Sequence, residues 1–217
     1  MTVKKLIIIL NLIIIPQLLT AFSLEGIQFN TGNAIILNAE DVSISPAPTQ
    51  SAALLGVSVP MMFTDILYFE PGIRLYAFNV ILEATKYKPV PAAVETRDRV
   101  SVLGCEIRPE IGAVFKISES IELGVTGAPV VLLRFPIQAN DDAGDEEKTT
   151  ILNYYFSSLR FLSFYTGGFF TWNFSENIAL KLKIGTDIPI YHIWDGEVIA
   201  FYDQMIIVPE LCFFWRF

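Results

Sequence analysis

The stretch 178–190 reads IALKLKIGTDIPI and repeats with a period of two residues. One set of alternate positions holds isoleucine or leucine throughout, except for Thr186. The other set includes Lys181, Lys183 and Asp187. Because successive side chains of a β-strand point to opposite faces, this pattern predicts a strand with one apolar and one charged face. A strand that lies between membrane lipid and the lumen of a β-barrel has this pattern.

Four further segments keep their charges on one face in the same way: 67–77, 103–117, 121–135 and 207–217. A Lys or Arg side chain on the lipid face near mid-bilayer costs about 2–4 kcal/mol, whereas the lumen accommodates it. We therefore predict that these charged faces line the lumen. The predicted lumen set has six acidic and six basic members: Glu70, Arg74, Glu106, Arg108, Glu110, Glu122, Arg134, Lys181, Lys183, Asp187, Glu210 and Arg216.

The segment 159–174 carries large apolar side chains on both faces, so its orientation is less evident. We place its even-numbered residues toward lipid and its odd-numbered residues toward the lumen. The even set is Leu162, Phe164, Phe170, Trp172 and Phe174, and the odd set includes Phe161, Tyr165 and Phe169.

Turn signals divide the chain at regular intervals. Three short turn candidates, at 62–65, 118–120 and 175–177, alternate with four longer polar or proline-rich segments at 38–51, 83–97, 136–150 and 191–199. Eight strands result, at about 26–37, 52–61, 66–82, 99–117, 121–135, 159–174, 178–190 and 200–217. Short turns that alternate with long loops are typical of bacterial outer-membrane barrels, in which the short turns face the periplasm. The sequence therefore predicts an all-β fold, an antiparallel up-and-down transmembrane β-barrel of about eight strands over residues 24–217.

Five prolines lie inside predicted strands: Pro71, Pro109, Pro129, Pro189 and Pro209. Proline removes a backbone donor from the hydrogen-bond ladder and is normally confined to strand edges or bulges. We assign all five to the lipid face and expect local bulges beside them.

Residues 1–23 have the features of a secretory signal peptide. Lys4 and Lys5 precede an apolar run, and Ala21 and Ser23 are small residues at the positions that signal peptidase reads. We expect cleavage after Ser23 and a location in the bacterial outer membrane. The alternative is an uncleaved anchor helix, for which the apolar run is short.

Composition excludes several functions. The chain of 217 residues has a formal charge of −8, and loss of the two N-terminal lysines takes it to −10 (−8 minus 2). Such an acidic chain is a poor nucleic-acid binder. Two cysteines, Cys105 and Cys212, are too few for a disulfide framework, although an oxidising periplasm permits one bridge. Neither lies in metal-site spacing, and a single histidine excludes a His-rich site, so we predict no metal and no cofactor.

The chain ends with LCFFWRF at 211–217, in which apolar residues alternate and the last residue is aromatic. This ending resembles the C-terminal signal of outer-membrane barrels, and the resemblance implies that the barrel-insertion machinery reads Phe213, Trp215 and Phe217. In length and strand number the chain resembles the small eight-stranded barrels of the OmpW/OprG type and of the OmpA-transmembrane or OmpX type. The resemblance implies outer-membrane lipid, periplasmic chaperones and the insertion machinery as partners. It implies uptake of small hydrophobic solutes for the first type and surface interaction for the second.

The lumen set allows two interpretations, because an eight-stranded barrel has room only for side chains or one small ligand. Charges that pair with one another form a structural plug, which leaves the surface loops to contact partners. A gated arrangement instead gives a narrow pore for small solutes.

A lipid A-modifying enzyme is a third interpretation, since some eight-stranded barrels use His, Ser and an acid at the outer rim. His192, with Asp195 and Glu197 nearby and with Ser157 and Ser158 on another loop, supplies these residue types. The sequence contains no His-x-Ser arrangement there, and we predict that the barrel is not an enzyme. The acidic stretch 140–147 does not match an EF-hand loop, and we interpret it as a solvated surface loop.

Overall fold

The computed structural model describes residues 23–38, 49–83, 88–92, 97–139, 144–193 and 202–217. Eight long strands form the body of the molecule. They are β1 (Gly26–Ile36), β2 (Gln50–Ser58), β3 (Leu67–Glu83), β4 (Val100–Lys116), β5 (Ile121–Ala139), β6 (Leu162–Asn173), β7 (Ile178–Pro189) and β8 (Ile206–Arg216). The predicted signal peptide lies outside the described residues except for Ser23, so its cleavage stays a prediction.

The eight strands close into a barrel. Each strand pairs antiparallel with the next in the chain, and β8 pairs with β1, where Phe213 lies opposite Phe29. Closure leaves these strands without a free edge, which removes the unpaired backbone groups that lipid cannot satisfy. The predicted up-and-down barrel of eight strands is confirmed.

Side chains in every barrel strand alternate between lumen and exterior. Even-numbered residues face inward in β1 to β5 and in β8, and odd-numbered residues face inward in β6 and β7. The even-numbered aromatic residues of β6 therefore face outward, as predicted, and Phe164 and Trp172 are 46% and 50% exposed. The exterior carries leucine, isoleucine, valine and aromatic side chains, which is the surface that lipid requires.

The strand prolines depart from the prediction in two ways. Pro189 is buried on the lumen face, so its assignment to the lipid face is wrong. Pro71 lies directly opposite Pro109, and the register between β3 and β4 is continuous there, without the expected bulge. A proline removes one donor but adds no residue to the strand, so the register is retained. The register shift between β4 and β5 occurs instead where Val102 pairs with Pro136.

Connections alternate in length around the barrel, as predicted. Short turns at 59–66, 117–120 and 174–177 lie at one end, and long connections at 37–49, 84–99, 140–161 and 190–205 lie at the other. Short strands extend both ends. Ser23–Leu24 pairs with Met61–Met62 at the short-turn end, and Lys88–Pro91 pairs with β3 at the long-loop end.

The third long connection contains a helix that the sequence analysis did not predict. β5 continues to Ala139, and α1 is Asp145–Phe156, so the assignment of 136–139 and 145–150 to a loop is wrong. Asp145, Glu146 and Glu147 occupy the first turn of α1. Acidic side chains are favourable there because the helix N-terminus carries partial positive charge. Among the described residues, no helix has both the length and the hydropathy of a membrane span.

Spin labels at two adjacent positions test this orientation. Leu182 is 53% exposed on the exterior and Lys183 is 3% exposed in the lumen. We expect oxygen dissolved in the bilayer to relax a label at 182 and to leave a label at 183 unaffected. The measurement is electron paramagnetic resonance power saturation in proteoliposomes. Equal access of a water-soluble relaxation agent to both labels, without oxygen contact at 182, would contradict the membrane orientation.

Candidate functional site

A network of nine buried charged side chains fills the middle of the lumen, and we call it the ionic network. Its members come from β3, β4, β7 and β8: Glu70, Arg74, Glu106, Arg108, Glu110, Lys181, Lys183, Asp187 and Glu210. They lie on the inward faces that the alternation defines. An eight-stranded barrel is narrow enough for side chains from opposite walls to touch.

Lys183 connects opposite walls of the barrel. Its Nζ lies 2.9 Å from Oε1 of Glu70 and 2.9 and 3.0 Å from the two carboxylate oxygens of Glu110. Lys181 donates from the same strand to Oε2 of Glu70 at 2.8 Å. Because β7 and β3 are four strands apart in a ring of eight, the contacts with Glu70 span the lumen.

Two arginines form the second part of the ionic network. Nη2 of Arg74 lies 2.8 Å from Oε1 of Glu110 and 3.2 Å from Oε2 of Glu210, and its Nε also donates to Glu210. Arg108 donates from Nε to Glu106, and its Nη2 lies 3.6 Å from Glu210. The four glutamates of the ionic network therefore each meet at least one cation, which is the condition under which buried charges are tolerated.

Neutral side chains complete the shell around two of these carboxylates. Gln28 and Ser58 donate to Oε1 of Glu70 at 2.9 and 3.0 Å, and Thr126 donates to Oε2 of Glu110 at 3.0 Å. These additional hydrogen bonds offset part of the desolvation of the two acids.

Asp187 differs from the other acids of the ionic network. It is 1% exposed, and neither of its carboxylate oxygens has a hydrogen-bond partner among the described residues. A buried polar group without a partner bears its full desolvation cost. Its register partners on β8 and β6 are Ile206 and Tyr165, both of them in the hydrophobic cluster, so Asp187 lies where the polar part of the lumen ends.

Aromatic rings fill the space beside the ionic network by packing on glycines. A Cβ atom at Gly185 would lie 2.4 Å from the ring of Tyr165, and a Cβ atom at Gly104 would lie 2.6 Å from the ring of Tyr76. Glycine is therefore required for these rings to lie flat against the wall. The Tyr165 ring in turn lies 3.8 Å from the guanidinium of Arg108, within cation–π distance.

An apolar layer fills the lumen on the long-loop side of the ionic network. Its members lie near the long-loop ends of seven strands, together with two residues of α1: Ala34, Ile36, Ala52, Leu54, Tyr76, Phe78, Val80, Val100, Val102, Ala128, Val130, Leu132, Ile151, Tyr155, Tyr165, Ile206 and Val208. All are buried, so this part of the lumen is packed like the core of a soluble domain.

Helix α1 packs onto the apolar layer at the long-loop end. Ile151 and Tyr155, one turn apart, are 0% and 1% exposed and insert into the apolar layer. The guanidinium of Arg134 lies 4.9 Å from the Tyr155 ring centroid. Burial raises the pKa of Tyr155 to about 12, and Arg134 acts in the opposite direction. The Tyr155 phenol is therefore neutral at physiological pH.

A buried ion pair joins two other long connections at this end. Nζ of Lys88 lies 2.6 Å from Oδ2 of Asp203, with both side chains buried. The guanidinium of Arg160 lies 4.3 Å from the Tyr154 ring centroid and 5.6 Å from that of Tyr191. We give the name cap to the elements that meet at this end. They are α1, the short strand Lys88–Pro91, the 3₁₀ helices Ser157–Leu159 and Ile190–Ile193, and Asp203.

Comparisons with known proteins address the fold. No family model matches the chain, and no curated protein matches it. Neisserial surface protein A is similar with a TM-score of 0.53 at 10% identity, over 91% of this chain and 97% of that chain. Ail of Yersinia pestis has a TM-score of 0.43 at 9% identity, over 89% and 97%. OprG of Pseudomonas aeruginosa has a TM-score of 0.42 at 8% identity, over 89% and 94%.

The similarity to Neisserial surface protein A agrees with the closed barrel that the strand pairing shows. A closed barrel with an apolar exterior crosses a membrane, and barrels of this construction belong to bacterial outer membranes. This chain is an outer-membrane β-barrel. The fold and location expected from the resemblance to small eight-stranded barrels are therefore confirmed.

The remaining members of the predicted lumen set lie at the two ends of the outer-membrane barrel. Arg134 lies beneath the cap, and Arg216 and Glu122 lie 3.6 Å apart at the short-turn end. The three aromatic residues of the predicted C-terminal signal face the exterior: Phe213, Trp215 and Phe217 are 43%, 56% and 72% exposed. Their recognition by the insertion machinery stays a prediction.

Several polar members of the lumen were not predicted from the sequence. Gln28 and Asn30 alternate with Ile27 and Phe29 on β1, so the same period of two was present there without a charge to mark it. The pair of Lys88 and Asp203 had no such signal, because both residues lie outside the barrel strands.

The cysteines and the acidic residues form no metal or disulfide site in the described part of the chain. Both thiols are free, with Cys105 on the exterior face of β4 and Cys212 buried in the lumen on β8. No group of three or more His, Cys, Asp or Glu side chains among these residues is arranged to hold a metal ion.

Replacing either of two acids of the ionic network by its amide should change the stability of the barrel in opposite ways. Glu70 binds two lysines, so Glu70→Gln leaves the buried ammonium of Lys181 without a carboxylate and that of Lys183 with Glu110 alone, and should lower the free energy of unfolding by about 3–5 kcal/mol. Asp187→Asn removes a carboxylate that accepts no hydrogen bond from the described residues, and should leave stability unchanged or raise it. Urea unfolding in lipid vesicles, followed by tryptophan fluorescence, measures both. A larger loss for Asp187→Asn than for Glu70→Gln would show that this division of the network is wrong.

Proposed function

We propose that this outer-membrane barrel has a closed lumen and presents its folded cap at the cell surface for contact with partners. One observation carries the proposal: the ionic network and the apolar layer fill the middle and the long-loop side of the lumen, and Ile151 and Tyr155 of α1 insert into that layer. The cap is therefore continuous with the core of the barrel and is held rigidly.

The closed lumen is favoured over a narrow pore for solutes. A solute on the barrel axis would separate Lys183 from Glu70 and Glu110, and would then enter an apolar layer that offers few polar partners. Moving a charged or strongly polar solute through such a layer is costly. The filled interior supports a structural role for the charged residues.

Features of the cap support a role in contact with partners. Leu159, Ile193 and Tyr202 lie in the long connections and are 48%, 81% and 42% exposed. Ser158 and Leu159 have φ angles of 49° and 57°. Non-glycine residues rarely adopt this left-handed conformation, and such positions cluster at functional sites. The strain fixes an apolar side chain in an exposed position.

A non-enzymatic role is part of the proposal. Ser157, one of the two serines considered for catalysis, donates to the carbonyl of Tyr154 at 2.9 Å and accepts from Nη1 of Arg160 at 2.7 Å. Its hydroxyl therefore serves to end α1. Asp195 and Glu197 lie outside the described residues.

Conductance in planar bilayers tests the closed lumen. We expect the purified protein to give no resolved current steps, because the ionic network and the apolar layer leave no continuous aqueous path. A trimeric porin inserted under the same conditions is the control for membrane quality. Reproducible steps with the native protein would support the narrow pore in place of this proposal.

Adhesion of intact cells tests the role of the cap. Cells that produce the native protein should aggregate or adhere to cultured epithelial cells more than cells without it. Leu159→Ser combined with Ile193→Ser should remove this difference, because it removes exposed apolar contact area while sparing the buried residues of α1. Thr149→Ala, on the exposed side of α1, is the matched control. If cells with the doubly substituted protein aggregate or adhere as much as cells with the native protein, the proposal for the cap is wrong.

A further inference from the structure

The short-turn end of the lumen contains a cavity of about 540 Å³, which we call the vestibule. The turn 63–65 and the ends of β4, β5 and β8 surround it. The ionic network and the apolar layer separate it from the cap. Since short turns face the periplasm in barrels of this construction, the vestibule is open to the periplasm.

Aromatic rings form the apolar part of the vestibule wall. Tyr68 and Phe169 meet edge to face with centroids 5.5 Å apart, and Phe214 lies beside them. Nζ of Lys181 lies 4.8 Å from the Phe169 centroid, 5.7 Å from that of Tyr68 and 5.8 Å from that of Phe214. The inner end of the vestibule is therefore an ammonium group among three rings, and Glu70 holds that group from the other side.

Basic side chains outnumber acidic ones on the strands that form the wall. Lys116 lies opposite Glu122 in the register of β4 and β5, and Arg216 lies 3.6 Å from the same carboxylate. Lys116 is exposed and makes no ion pair with the described residues. Arg216 thus pairs with Glu122, and Lys116 is left without an ion pair among the described residues, so its ammonium group is available to a ligand. The other acids of the vestibule, Glu25 and Asp65, lie at its rim.

A buried hydroxyl without a partner faces the same space. Thr171 is 1% exposed and lines the vestibule, and its Oγ1 has no hydrogen-bond partner among the described residues. It lies opposite Lys181 on β7 and opposite Glu122 on β5. A buried hydroxyl of this kind is a donor that a bound acceptor can satisfy.

We propose that the vestibule binds a small aromatic carboxylate from the periplasm. Its ring lies against Phe169 and Phe214, and its carboxylate lies within reach of Lys116 and the hydroxyl of Thr171. Ligand sites commonly combine an apolar wall with a few polar groups in a cavity of about 300–1,000 Å³. A cationic ligand in the same position would instead face the ammonium group of Lys116. This site is separate from the cap, and binding there requires no passage through the lumen.

Calorimetric titration of the protein, purified from membranes and placed in nanodiscs, tests the vestibule. The probes are 2-naphthoate and 2-naphthylmethylammonium, which share a ring system and differ in charge, and empty nanodiscs supply the background of lipid partitioning. We expect saturable 1:1 binding of 2-naphthoate and weaker binding of the ammonium probe. Lys116→Gln should weaken 2-naphthoate binding about tenfold, because it removes a charge-assisted hydrogen bond. Lys148→Gln, on α1 at the opposite end, should leave the binding unchanged.

A second variant separates ring contact from charge. Phe169→Leu should weaken binding of both probes, and unfolding in urea shows whether the barrel remains folded. Heat no greater than that of empty nanodiscs would overturn the proposal. So would tighter binding of the ammonium probe, or equal affinity of the native protein and Lys116→Gln. Current steps in the bilayer experiment would overturn the closed lumen and leave the vestibule unaffected, so the two failures are distinguishable.

Discussion

The contact of Lys183 with Glu70 and Glu110 joins facing walls of the barrel across its lumen. These three side chains come from β7, β3 and β4, and the oxygens lie 2.9 to 3.0 Å from the ammonium nitrogen. Strand pairing alone fixes distances around the wall, whereas this contact fixes the distance through the lumen. Arg74 adds a second connection, from β3 to Glu210 on β8. Strand number and stagger set the cross-section of the barrel, and these ion pairs hold its facing walls together across the lumen.

The two ends of the barrel differ because the ionic network lies between unlike fillings. On the long-loop side, aliphatic and aromatic side chains exclude water and receive Ile151 and Tyr155 from α1. On the short-turn side, the vestibule retains charged and aromatic groups around an open cavity. The cap is therefore stabilised by apolar burial that continues into the membrane-spanning part. The same division makes binding at one end independent of contact at the other.

The sequence predicted most of the fold because lipid and lumen impose opposite requirements on adjacent residues. Leu182 and Lys183 show this directly. Turn signals and this alternation together located the eight strands, and the largest difference is at β8, which was predicted from residue 200 and begins at Ile206. The candidate site was predictable in membership but not in arrangement. Which acid meets which base depends on the register and closure of the barrel, and Asp187 and Glu70 are indistinguishable until neighbours from other strands are placed. Helix α1 escaped prediction because its buried face consists of Ile151 and Tyr155, too few apolar positions to show a helical period.

The ionic network also determines the register of the strands. A shift of β7 by one residue would move Lys181 and Lys183 from the lumen to the lipid face. At about 2–4 kcal/mol for each lysine near mid-bilayer, that shift costs roughly 4–8 kcal/mol before any loss of ion pairs. The correctly paired network stabilises the folded barrel by much less than this, since desolvation cancels most of the attraction between buried charges. Its main energetic effect is therefore to make incorrect registers unfavourable. This explains why a narrow lumen that apolar side chains could fill retains nine buried charges.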